Sequence, residues 1–238
     1  MSQLCDLINL QSLDLSENPL GVSPLLLGMN ELRQVNLRST GIGTCPIGIR
    51  DEPYLMLLDL SDNRITRVPP AVLSQAVARD RVKLWGNPLT DEDTLRRLVD
   101  HRQRTGINLW LSAPRADYGN PVAWLREGDE ALRQARRTIW QQLAAKPSGG
   151  RFLSVIDGLS LTADFQVDYL ELQARVWRLL SEAQASDELW RWLNRFVEGA
   201  AIDAENPLGI FTSLEDRARL YRDWVTMGRP FPVITEQA

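Results

Sequence analysis

Leu55-Met56-Leu57-Leu58-Asp59-Leu60-Ser61-Asp62-Asn63-Arg64-Ile65 decides the fold, because its apolar residues and its asparagine fall on the frame L-x-x-L-x-L-x-x-N-x-L. The frame returns as Leu10, Leu13, Leu15, Asn18 and Leu20, then as Leu32, Val35, Leu37, Thr40 and Ile42, and again as Val82, Leu84, Asn87 and Leu89. The turn slots at 18, 40, 63 and 87 are 22, 23 and 24 residues apart. A unit of this length is a short strand and a return segment, too small to bury its own leucines, so neighbouring units must stack. The asparagine side chain serves backbone groups left unpaired where the chain bends. Thr40 departs from the pattern but keeps a short hydrogen-bonding side chain. Four unrelated amphipathic segments would not produce apolar frame, turn residue and period together.

This half therefore reads as an α/β leucine-rich-repeat solenoid. Within each strand the second and third frame positions point into the core, and the residues flanking them point to the concave face. The exposed columns are then Ser12, Gln34, Leu57 and Arg81; Asp14, Asn36, Asp59 and Lys83; and Ser16, Arg38, Ser61 and Trp85. Gln34, Arg38, Leu57, Lys83 and Trp85 are the expected partner-binding residues, with Leu57 and Trp85 as apolar anchors among polar neighbours. The competing reading of those two is that the neighbouring domain covers them. Ahead of the first repeat only Leu4, Leu7 and Ile8 are available as a cap, and a shortened solenoid is expected.

After the last repeat, Thr90-Asp91-Glu92-Asp93 resembles a capping box, with Leu95, Leu98 and Val99 at helical spacing and Gly106 as the stop. That helix closes the solenoid. Ile107 to Leu111 reads as one more short strand, and Ser112 to Pro121 as a linker. The change of texture there divides the chain into 1–113, the solenoid with its closing helix, and 114–238, a helical domain. The fold class is thus an α/β leucine-rich-repeat solenoid followed by an all-α helical domain. The helices expected are Trp124 to Ala145, stopped by Pro147 and Gly149-Gly150; Phe152 to Leu159; Asp168 to Ala185, with Glu171–Arg175 and Arg178–Glu182 pairs outside; one capped by Ser186 and reaching Gly199; and one begun by the capping box Thr212-Ser213-Leu214-Glu215.

With 27 basic and 31 acidic residues the formal charge is −4, which gives no electrostatic case for nucleic acid. Arg133, Arg136 and Arg137 are interleaved with acids and read as a solvated helix face. No run approaches the roughly 18 apolar residues of a membrane span, and Met1 leads into repeat sequence without a signal-peptide pattern. The two cysteines, Cys5 and Cys45, lack metal-ligand spacing and read as buried reduced thiols. His101, the only histidine, reads as a surface residue. There is no glycine-rich phosphate loop, G-x-S-x-G elbow or H-E-x-x-H. No cofactor and no metal site is expected.

Repeats, closing helix and linker are followed by a helix holding Ala135-Arg136-Arg137-Thr138-Ile139-Trp140 and by a later Arg175-Val176-Trp177. In that order the chain resembles the bacterial NEL, or novel E3 ligase, family, from the repeats through Asp223. The resemblance implies an effector, secreted and delivered to the host cytoplasm, that ubiquitinates host proteins. In that family the cysteine of a Cys-x-Asp motif takes ubiquitin as a thioester from a conjugating enzyme and passes it to a lysine. A thiolate is nucleophilic near neutral pH, and a nearby carboxylate can organise or deprotonate the incoming amine.

The resemblance puts that motif after the helix ending at Gly199, where the text is Ala200-Ala201-Ile202-Asp203-Ala204-Glu205. With Asp203 as the family's acid, Ala201 stands in the nucleophile's place. Counting back from Phe211 moves the place toward Asp203, and in neither register is there a cysteine. The family's ligase domain continues well beyond its cysteine, while this chain runs 37 residues past Ala201, so only the N-terminal portion of that domain is expected. Three readings follow. One is a family member that has lost ubiquitin transfer and keeps a repeat surface for a host or other protein. Another is an active ligase represented by a partial or Cys-to-Ala altered chain, and the third is a non-enzymatic repeat adaptor. A ubiquitin-conjugating enzyme is a partner only where the family activity survives.

Overall fold

The computed structural model describes residues 7–49, 54–75, 81–114, 120–199 and 205–228. The chain forms two compact units, Met1–Arg115 with Leu161–Val167, and Ala116–Ser160 with Asp168–Ala238. The first follows from the repeat frame. Strands β1 (Ser12–Asp14), β2 (Gln34–Asn36), β3 (Leu57–Asp59) and β4 (Val82–Lys83) form one parallel sheet in chain order. Their register sets Leu13 beside Val35, Val35 beside Leu58 and Leu58 beside Val82, all four buried, so the second frame position builds a continuous row of core side chains. Leu37, Leu60 and Leu84 from the third position are fully buried beneath them.

The asparagines tie the units together. Asn63 Oδ1 accepts the backbone N–H groups of Thr40 (3.0 Å) and Ile42 (3.2 Å) from the preceding repeat, while its Nδ2 donates to the carbonyls of Leu37, Leu60 and Ser61. Asn87 repeats this one unit on, accepting from Ile65 N–H and donating to the carbonyls of Leu60 and Leu84. The Thr40 hydroxyl donates to Leu37 O at 2.9 Å, which explains why threonine is tolerated in that slot. One residue ahead of each slot the backbone turns left-handed, at Glu17, Ser39, Asp62 and finally Gly86. The ladder ends on Trp110, whose Nε1 donates to Asn87 O at 2.9 Å.

Ile107 to Leu111 does not form the expected strand. It extends the sheet edge through the bonds Leu84 N–H to Leu109 O and Gly86 N–H to Leu111 O. A short helix that the repeat frame does not signal, α1 (Pro70–Gln75), fills one return segment, with proline in the first turn where no backbone donor is lost. Helix α2 (Glu92–Thr105) starts one residue later than a box at Thr90 implies: Asp91 is the cap and accepts from Thr94 N–H, and Gly106 ends the helix in the left-handed conformation. His101 is buried on α2 and not at the surface, because it lies on the same face as Leu98. Helix α5 (Ala163–Val167) packs along α2, and Ala163 belongs to the repeat core together with Leu95, Leu98, Val99, Leu109 and Trp110.

The second unit contains α3 (Glu130–Ala144), α4 (Gly149–Leu159), α6 (Tyr169–Ala185), α7 (Asp187–Gly199) and α8 (Pro207–Thr226). The single helix expected from Trp124 to Ala145 is two elements, a 3₁₀ turn at Pro121–Trp124 and α3, separated by Gly128 at φ 97° and by Asp129, which caps α3. The Gly149-Gly150 pair opens α4 instead of stopping the helix before it. Helix α8 begins under an Asn206 cap with Pro207 in its first turn and runs through Thr212 to Glu215, so that stretch is helix interior and not a start signal. Trp124 anchors the unit: fully buried, its carbonyl accepts from Gln173 Nε2 and Trp177 Nε1, both at 2.9 Å. Arg136, expected on a solvated face, is half-buried with its guanidinium 5.2 Å from the Trp177 ring centroid.

Candidate functional site

On the sheet's concave side the strand register sets Ser12, Gln34 and Leu57 side by side, and likewise Asp14, Asn36, Asp59 and Lys83. Gln34 and Arg38 are exposed, Leu57, Lys83 and Trp85 half-buried. Arg38 Nη2 pairs with Asp62 Oδ2 at 2.9 Å in the open, a contact that fixes orientation more than stability. Lys83 Nζ lies 5.5 Å from the Trp85 ring centroid, so ammonium and indole form one amphipathic spot. Asp14 is held below the usual carboxylate range by the Ser16 hydroxyl and backbone N–H, with Asn36 Nδ2 adding a third donor. Asp59 accepts Ser61 N–H in the equivalent turn. The Ser61 hydroxyl and the Trp85 indole nitrogen are buried without a hydrogen-bond partner. Such a face, with its acid, base, amide and indole groups side by side, suits a protein partner.

The expected nucleophile place, Ala201, and its acid, Asp203, lie outside the described residues, as does Cys5. Their flanks are defined: α7 ends at Gly199, and Asn206 caps α8 by accepting from Gly209 N–H at 3.1 Å. The x-x-Asp spacing also occurs downstream as Leu214-Glu215-Asp216, within the described part of α8. There Leu214 is fully buried, Glu215 receives both arms of Arg175 at 3.0 and 2.6 Å, and Asp216 pairs with Arg219 at 2.9 Å. Helical spacing pairs Arg175 with Glu171 and Glu182 with Arg178; in the structure Arg175 reaches Glu215, and Glu182 reaches Arg222, both crossing from α6 to α8. The triplet is hard to see in sequence because Thr212 to Glu215 resembles a helix start, while α8 already begins at Pro207.

Cys45 cannot supply a nucleophile. Its thiol is buried, and burial pushes its pKa up to about 12, leaving it protonated at neutral pH. Among the described residues no three His, Cys, Asp or Glu side chains converge as metal ligands, and no helix is long and apolar enough to cross a membrane.

Known families match both units. The model of the C-terminal novel E3 ligase domain, described as LRR-interacting, matches residues 124–218, from the anchoring Trp124 to Ala218 on α8. The leucine-rich-repeat model matches residues 9–29 and 54–76, the first and third repeats of the frame. No curated protein matches the chain. Repeats that stack through an asparagine ladder and a helical region that carries the ligase-domain match occur here on one polypeptide, and the chain is a member of the leucine-rich-repeat NEL family.

Proposed function

We propose that this chain is a bacterial effector of the NEL family that binds a host protein on its concave repeat face and does not transfer ubiquitin through a thioester. The observation that carries the reading is chemical: the segment 124–218 contains no cysteine. Seven aspartates stand in it, at 129, 157, 164, 168, 187, 203 and 216, and the residues two places before them are Glu127, Val155, Thr162, Gln166, Ala185, Ala201 and Leu214. None of these side chains can attack the ubiquitin thioester and hold the acyl group as a thioester in turn. The conclusion therefore does not depend on whether Ala201 or Leu214 marks the family's nucleophile. A host protein on the concave face is supported by the mixed chemistry of Gln34, Arg38, Leu57, Lys83 and Trp85. A ubiquitin-conjugating enzyme is a partner only to the extent that its docking surface survives the loss of chemistry.

The alternative, an active ligase seen here in altered form, makes a different forecast. The unaltered chain and the variants Ala201→Cys and Leu214→Cys are each incubated with a ubiquitin-loaded conjugating enzyme and run on non-reducing gels. No reducible ubiquitin adduct on the unaltered chain is the expected result. An adduct on it refutes the proposal. An adduct on either variant alone assigns the loss to that one residue and favours an altered ligase, whereas none on either extends the loss to the surrounding scaffold.

A further inference from the structure

The sequence places Leu161–Val167 between two helices of the helical unit, α4 and α6, yet this segment folds as part of the repeat unit. The polypeptide therefore passes between the units at 115/116, 160/161 and 167/168. The segment is firmly seated. Leu161, Thr162, Ala163, Asp164 and Phe165 are all buried, and Val167 packs against the repeat core. Leu161 O accepts Ser112 N–H at 2.8 Å. Asp164 takes both arms of Arg102 on α2, Nε to Oδ2 at 3.1 Å and Nη2 to Oδ1 at 2.5 Å, with side chains only 12% and 20% exposed. A two-pronged guanidinium–carboxylate pair removed from water is costly to break one partner at a time.

Only Asp168 separates the end of α5 from the start of α6, and its side chain makes no cap bond to α6. The first turn of α6 thus lacks the usual side-chain support and begins where the seated α5 delivers the chain. That turn and the residue after it hold the anchor of the helical unit: Tyr169 donates its hydroxyl to Ala123 O at 3.1 Å, and Gln173 donates to Trp124 O. Gln173 Nε2 also donates to the Tyr169 oxygen at 2.8 Å, so the two act together.

We propose that the Arg102–Asp164 pair is a latch that couples order at the C-terminal end of the solenoid to order in the first turn of α6 and the Pro121–Trp124 turn it holds. Any protein that stabilises or loosens the repeat unit near α2 then changes the helical unit through the covalent chain, by shifting the equilibrium between seated and released α5. The latch stands whether or not ubiquitin chemistry has been lost.

The test is hydrogen exchange read by mass spectrometry on the full chain, with Arg102→Lys, Asp164→Asn and the double variant. Lysine keeps the charge but loses the fork, and asparagine keeps the shape but loses the charge, so both changes are mild. The expected result is an increase of about tenfold in exchange across Leu172–Val176, from loss of a charge-assisted hydrogen bond. The double variant should go no further than the worse single one, and β1 to β3 should be unchanged. Acceleration confined to α2 and α5 would overturn the latch, as would effects that add in the double variant. An even rise that includes β1 to β3 would overturn it too, since it reports loss of the whole fold.

Discussion

Replacing Asn63 by alanine isolates the contribution of the ladder, and the structure sets the size of the effect. The asparagine makes six hydrogen bonds, but their losses are unequal. Leu37 O keeps the Thr40 hydroxyl, Leu60 O keeps Asn87 Nδ2, and Ser61 O keeps Ser39 N–H. The N–H groups of Thr40 and Ile42 have no second acceptor and would be left bare in the core. At about 1–3 kcal/mol for each unsatisfied buried donor, Asn63→Ala should cost about 4 kcal/mol, including a small void. Asn18 is the internal control. It is exposed and donates only to Leu15 O and Ser16 O, so Asn18→Ala should cost less than about 1 kcal/mol. Urea unfolding followed by tryptophan fluorescence measures both, with Trp85 and Trp110 reporting the repeat unit. A cost for Asn63→Ala within about 1 kcal/mol of that for Asn18→Ala would refute the reasoning, since the buried N–H groups would then have found other partners.

The glycine pair that opens α4 should respond in opposite senses. A methyl group at Gly149 would run into the Leu143 carbonyl at the end of α3, while at Gly150 it meets nothing; Gly149→Ala should therefore destabilise by about 3 kcal/mol and Gly150→Ala stabilise by up to about 1 kcal/mol in thermal melts. Cys45 should resist iodoacetamide in the native protein at pH 8 and react once urea unfolds it, as read by peptide mapping; native labelling at the rate of a free thiol would contradict its burial. The same thiol gives a pH dependence. Its pKa is raised on folding, so its contribution is complete below the unfolded value near 9 and is lost as pH rises toward about 12, because the unfolded chain releases the proton first. Denaturation midpoints of Cys45→Ala and the unaltered chain should converge over that interval.

The solenoid was legible because its signal is redundant. Period, apolar frame and turn residue each constrain the same strands, and β1 to β4 fall where the frame puts them. The helical unit was less legible at its boundaries. Pairs such as Glu171–Arg175 fit a helix surface by spacing, yet each arginine chooses the acid that packing brings near, and Glu215 lies 40 residues away in sequence. Thr212 looks like a cap by local chemistry, but Asn206 and Pro207 had already started the helix. Nor did sequence distinguish α5, five residues long, from a loop: its place depends on Arg102, 62 residues before Asp164. Of the candidate site, strand alternation gives the concave columns except at Ser61, which is expected to be exposed and is buried. Nor does it give the half-burial at Leu57, Lys83 and Trp85, because exposure depends on what lies above a residue and not on its position in the frame.

The ladder also has a direction. Asn63 and Asn87 each serve the bend of the unit before them, through an oxygen that accepts and a nitrogen that donates. Trp110 occupies the end of that series with an indole that donates once and has no oxygen to return. A further repeat stacked after Asn87 would need an amide of its own to serve the bend there, because the indole, which donates to Asn87 O, offers no acceptor to the bend's N–H groups.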